Sequence, residues 1–147
     1  MDSIHGYLST DHRHCDEMFT SAEAAVANGD WTQAQSLAEV FFKAMDTHFR
    51  MEEEVLFPAF EKKTGMNHGP TVVMRVEHQQ MRGLLSELQG ALEAQDQSTF
   101  LGLSETLLVL LQQHNLKEEQ ILYGMSDQVL GDEGVEVIGQ MQELRND

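Results

Sequence analysis

The sequence predicts an all-α fold, an up-down antiparallel four-helix bundle followed by a short C-terminal helix. Three observations carry that expectation. Apolar residues recur at alternating steps of three and four through four long segments, helix-breaking punctuation falls between those segments, and the connections are short enough to join antiparallel neighbours.

The first segment carries Leu8, Cys15, Phe19, Ala22 and Val26 at helical spacing, with His12 filling the gap in the stripe, so that His12 is expected to face inward. Asn28-Gly29-Asp30 ends it: Asn and Gly suit a helix C-terminus, and Asp30 with Gln33 three residues on reads as an N-cap and capping box. The second segment places Ala34, Leu37, Phe41, Met45, His48, Glu52 and Val55 on one face, and Gly65 can stop it. Pro70 suits the first turn of the third, whose stripe is Met74, His78, Met81, Leu85, Leu88 and Leu92. After a break near Asp96, the fourth gives Leu103, Leu107, Leu110, His114, Glu118, Ile121 and Met125. A last break at Gly131-Asp132 precedes a fifth, short helix from Glu133 to Arg145.

At 147 residues the chain reads as a single domain, 1–147, large enough to bury a substantial core. No basic start followed by an apolar run marks a leader, and no stretch approaches the roughly 18 apolar residues of a membrane span. A soluble, cytoplasmic protein is expected. One cysteine, Cys15, excludes an internal disulfide and a thiolate metal cluster. Nine Lys and Arg against 25 Asp and Glu give a net charge of -16, which argues against nucleic acid or an anionic membrane as partner and favours cations.

Two segments contain the same phrase, His48-Phe-Arg-Met-Glu52 and His114-Asn-Leu-Lys-Glu118. A His and a Glu four residues apart share a helix face and can serve one site. The steps from His12 to His78, His48 to His114 and Glu52 to Glu118 all equal 66 residues, and so do those from Leu8 to Met74, Phe19 to Leu85 and Phe57 to Tyr123. Ligand candidates and core repeat together, so the chain reads as a duplicated helical hairpin, about 1–64 and 68–130. Folding the halves against each other about a pseudo-twofold axis brings four histidines and two glutamates to one level. Two buried carboxylates side by side are costly unless a cation lies between them, and neutral imidazoles suit iron, zinc or copper better than calcium or magnesium. His12 and His48 are assigned to one metal, His78 and His114 to a second, with Glu52 and Glu118 bridging.

A His on helix 1, His-x-x-x-Glu on helix 2, a His on helix 3 and His-x-x-x-Glu near the end of helix 4, in that order, resemble the hemerythrin-like, or HHE cation-binding, domain family. The resemblance covers the four-helix region. It implies two non-haem, bridged iron ions, with zinc or manganese also accepted by such ligands, and dioxygen or another small diatomic molecule as ligand. Oxygen-carrying hemerythrins have a second helix-3 histidine four residues after the first, and here that place holds Arg82. They also end their motif on an aspartate at a longer spacing, where this chain has Glu119. Glu118 is preferred because the repeat pairs it with Glu52. Without a fifth histidine, each metal keeps an open position.

The remaining candidates read more plainly. His14 is expected at the surface, His5 on the inward stripe in a structural role and His68 in a turn. Glu53 and Glu119 lie about 100° around the helix from the bridging glutamates, so they are expected in solvent or behind the ligands. Asp11 and Glu77 are placed to orient an imidazole on a neighbouring helix. The methionines and Cys15 are core filler. Phe57 and Tyr123 close the end of the site, with Tyr123 also able to hydrogen-bond a bound oxygen species. The function expected is storage or sensing of dioxygen or a similar ligand. The alternatives are a peroxidase- or ferroxidase-like redox enzyme, an iron-handling protein, or a metal-dependent interaction module.

Overall fold

The computed structural model describes residues 3–146, and among them there are helices and turns but no strand. Helix α1 spans Ile4–Ala27. The second long helix runs as α2 (Trp31–Arg50), a π-helical stretch (Met51–Leu56) and α3 (Phe57–Thr64). Then come α4 (Pro70–Glu93) and a fourth long helix built the same way: α5 (Gln97–Lys117), a π-helical stretch (Glu118–Leu122) and α6 (Tyr123–Leu130). A 3-10 turn, Gly131–Glu133, leads into α7 (Gly134–Asn146), which is the expected C-terminal helix. The two hairpins pack with α1 beside α5 and α6, and α2 beside α4, which closes an up-down bundle.

Local chemistry ends each helix where the punctuation falls. Asp30 accepts from the Gln33 amide and Asp96 from the Thr99 amide, so the two tight turns are capped alike. Gly29 turns the first at φ +72°. Its counterpart in the second is Gln95 at φ +52°, a left-handed position that a side chain tolerates less well than glycine does. Gly65, also at φ +72°, terminates α3. At the N-terminus of α1, Ser3 accepts from the Gly6 amide, while Asp127 of α6 accepts from the amides of Ile4 and His5 at 2.7 and 3.1 Å. That carboxylate satisfies orphan donors of α1 and ties α1 to α6 at one end of the bundle.

Two apolar clusters fill the interior. One holds Phe19, Phe41, Phe49, Leu88, Phe100 and Leu107, and the other Ile4, Leu8, Leu56, Phe60, Leu130 and Met141. Each long helix changes from one cluster to the other at its histidine. His12 lies between Leu8 and Cys15, His48 between Met45 and Met51, His78 between Met74 and Met81, and His114 between Leu111 and Leu122. The bundle therefore carries a polar layer between two dry ends.

The helical stripe departs from expectation beyond Glu52 and Glu118. Ile121 is 55% exposed and Val55 only half-buried, while Leu56-Phe57 and Leu122-Tyr123 point inward. The cause is the π-helical stretch: the Phe57 amide donates to the Glu52 carbonyl and the Tyr123 amide to the Glu118 carbonyl, five residues back in place of four. The wider turn inserts a residue and shifts the inward face by one position. His5 also departs, being exposed while Ile4 takes the inward place.

Candidate metal centre

All six candidates, His12, His48, Glu52, His78, His114 and Glu118, are buried, and both glutamates are fully so. They converge on one layer. The rings of His12 and His48 are 4.6 Å apart and those of His78 and His114 5.0 Å, so the histidines fall into the two pairs expected from the sequence. Ligand atoms of Glu52, His78, His114 and Glu118 gather within 4.8 Å of one another, and so do those of His12, His48 and Glu118.

Each imidazole is held from behind by a carboxylate on another helix. His12 Nδ1 bonds Glu119, His48 Nδ1 Asp11, His78 Nδ1 Glu53 and His114 Nδ1 Glu77, every one at 2.7 Å. The four contacts obey the same 66-residue repeat. A carboxylate at Nδ1 fixes the ring and its tautomer, so that Nε2 faces the centre with its lone pair. The carboxylates are braced in turn: Arg145 of α7 bonds Asp11, Lys117 bonds Glu77, and Arg82 bonds Glu53 at 2.9 Å. Arg82, which occupies the place of a fifth histidine, bonds Asp46 as well and lies 5.0 Å above the Phe49 ring, outside the ligand layer. His14 and His68 are exposed.

The fit to a cation shows in the polar atoms left over. Among the described residues, His48 Nε2, His114 Nε2 and Glu118 Oε2 are buried with no hydrogen-bond partner. His114 Nε2 is 3.2 Å from Glu118 Oε2 without hydrogen-bond alignment, as expected of two lone pairs aimed at a third atom. Orphaned donors and acceptors of this kind are rare in a finished core, and the donor set, imidazole nitrogen plus carboxylate oxygen, suits a transition-metal ion.

The electrostatics without metal are strained. Burial pushes Glu52 above the usual carboxylate range, and the neighbouring Glu118 charge adds to this. Burial works in the same direction on Glu118, but the His114 imidazole and its other partners outweigh it and hold that carboxyl well below the usual range. Burial opposes the charged form of His12 and His78; hydrogen bonds donated to Glu118 and Glu119 nevertheless raise the first to about 10, and those donated to Glu52 and Glu53 raise the second to about 9. Protons thus stand in for positive charge that the carboxylates demand.

Sequence reasoning did not foresee how much of the centre rests on Glu53 and Glu119, nor that Arg145 would reach back from the last helix. The first was legible in the repeated Glu-Glu pairs. The second has no local signal.

Comparison with family models matches the Hemerythrin HHE cation binding domain over residues 3–126. No curated protein and no solved structure matches the chain. The family match runs from the start of α1 into α6 and takes in every one of the buried histidines and glutamates, so the polar layer is that of a cation-binding domain, and the chain belongs to the hemerythrin HHE family.

Proposed function

We propose that this chain is a single-domain, cytoplasmic, non-haem di-iron protein, built from two duplicated hairpins, that binds dioxygen or a related small diatomic ligand for storage or sensing. The observation that carries the reading is the buried convergence of four carboxylate-backed imidazoles on two carboxylates that share one layer. His12 and His48 would hold one iron, His78 and His114 the other, with Glu52 and Glu118 spanning both. Bound iron supplies a redox change and an open coordination position. The chain's own contribution is to fix the imidazoles through Asp11, Glu53, Glu77 and Glu119, and to exclude water with apolar clusters on either side.

Size supports a small ligand. The cavity that reaches a ligand histidine, beside His114, has a volume of about 150 Å³, below the range of sites for organic substrates. A larger surface hollow near Lys62, Lys63 and Glu133 contains none of the six residues.

The test is anaerobic loading with ferrous iron, followed by oxygen. Two irons per chain are expected, with visible absorption that appears on admitting oxygen and fades on removing it. Irreversible oxidation with no such change would overturn oxygen binding. Replacing both bridging residues, Glu52→Gln with Glu118→Gln, should abolish two-metal stoichiometry, and retention of both metals would overturn the ligand assignment.

A redox-enzyme reading, peroxidase- or ferroxidase-like, draws on Arg82. With arginine turned outward where a fifth histidine would stand, no fifth imidazole would fill a coordination position. Sustained turnover of peroxide or ferrous iron would favour that reading over storage.

A further inference from the structure

The six His and Glu residues are nearly symmetric, but one buried oxygen breaks the symmetry. Phe57 and Tyr123 occupy the same position of the repeat, and both are fully buried. The Phe57 ring stacks against His78 and the Tyr123 ring against His12, with centroids 5.7 and 5.6 Å apart. Only Tyr123 carries a hydroxyl into the layer.

That hydroxyl lies 2.9 Å from Glu118 Oε1 and 3.1 Å from His12 Nε2, and those two atoms are 3.0 Å from each other. Three donor atoms from three side chains thus form a nearly equilateral triangle. One face of an octahedral ion has this shape: with bonds of about 2.1 Å, adjacent ligand atoms stand about 3.0 Å apart. Glu52 Oε2 is 2.7 Å from the same hydroxyl.

Without metal, protons hold this cluster together: His12 Nε2 donates to Glu118 Oε1 and the Tyr123 hydroxyl donates to Glu52 Oε2. A cation facing the triangle would take the place of the His12 proton and meet all three atoms at once.

The geometry points to Tyr123 as a seventh ligand, binding through its phenolate oxygen the metal held by His12 and His48. This rests on the reading of the layer as a two-metal centre. When the ligand forms, the O–H bond breaks, an oxygen electron pair goes to the metal and one proton leaves to solvent. The hard, anionic oxygen favours the ferric state at that position. The other metal, on the side of Phe57, would receive no such oxygen from the repeat.

The test loads the full chain with ferrous iron, oxidises it and measures metal content and visible spectrum together. Ferric wild type should show a phenolate-to-iron charge-transfer band, and Raman excitation within that band should give the ring modes of a coordinated tyrosine. Tyr123→Phe should still bind two irons and lose both signals. Two irons bound with the same spectrum in wild type and variant would overturn the assignment. Gallium(III) titration of the wild type needs no variant. Near-ultraviolet difference absorption should report ionisation of one of the chain's two tyrosines. Gallium bound without that signal overturns the ligand alone, whereas a wild type that binds no metal overturns the two-metal centre and the ligand with it.

Discussion

Asp11, Glu53, Glu77 and Glu119 decide how the histidines behave, because each sits at the Nδ1 of an imidazole whose other nitrogen faces buried carboxylate. The six inward residues were legible in the sequence because each interrupts an apolar stripe and recurs 66 positions away. The carboxylates behind them were half legible: Asp11 and Glu77 stand next to inward histidines, while Glu53 and Glu119 are offset enough around the helix to read equally well as solvated. These partners have a consequence for pH. A histidine that holds its proton more tightly folded than unfolded stabilises the fold in full below its unfolded value of 6.5, and loses that contribution as pH rises through the folded value. With His12 at about 10 and His78 at about 9, metal-free protein should weaken steadily between pH 6.5 and 10. Metal requires the deprotonated Nε2, so its affinity should rise across the same window. Thermal unfolding of chelator-treated protein should show Tm falling by more than roughly 10 °C, on the order of several kcal/mol, while metal-loaded protein holds its Tm. A metal-free Tm independent of pH would show that these carboxylates do not hold protons on the histidines.

At the level of the helix, the π-helical stretches at Met51–Leu56 and Glu118–Leu122 are what the apolar pattern concealed. Counting threes and fours gave the right face as far as Glu52 and Glu118, then pointed to Val55 and Ile121. The pairs Leu56-Phe57 and Leu122-Tyr123 gave no separate signal, since an ordinary helical stripe also turns adjacent apolar residues inward, as Ala25-Val26 and Ala91-Leu92 do here. The second stretch matters because its wide turn begins at the buried Glu118 and carries Tyr123 over the layer. Deleting Gln120, an exposed residue within the second stretch, should restore an ordinary α-helix. Leu122 and Tyr123 would then stand three and four residues after Glu118 and still face inward, so the fold should survive. They would also sit about 1.5 Å closer along the axis, enough to spoil a ligand geometry that tolerates about 0.5 Å. Far-UV circular dichroism should be unchanged while metal content drops below two per chain. Two metals bound with wild-type affinity would show that the π turns do not set the site.

Over the whole molecule, the two hairpins are unequal on their outside, and this leads to a prediction of how a cation would enter. The groove of the first hairpin is covered by α7, whose Arg145 bonds Asp11; the hollow left there is lined by Tyr7, Thr10, Asp11, His14 and Arg145 and reaches none of the four buried histidines. The corresponding groove between α4 and α5 has no such cover, and its cavity of about 150 Å³ touches His114 itself, with Gln80 and Gln113 at the lining and Lys117 across from Glu77. A net charge of -16 draws cations toward the surface generally, and the uncovered groove is the entrance we expect them to use. Gln113→Trp should fill that mouth without touching the ligands' hydrogen bonds. Cobalt(II) uptake by the metal-free protein, followed by absorbance in stopped flow, should slow about tenfold, equivalent to ~1.4 kcal/mol of added barrier, with final stoichiometry unchanged. His14→Trp, in the groove that α7 covers, should leave the rate alone. Equal slowing by both substitutions, or by neither, would place the entrance elsewhere. Raising ionic strength should slow uptake in the wild type and in both variants by the same factor, because long-range attraction belongs to the whole surface and the steric barrier to one groove.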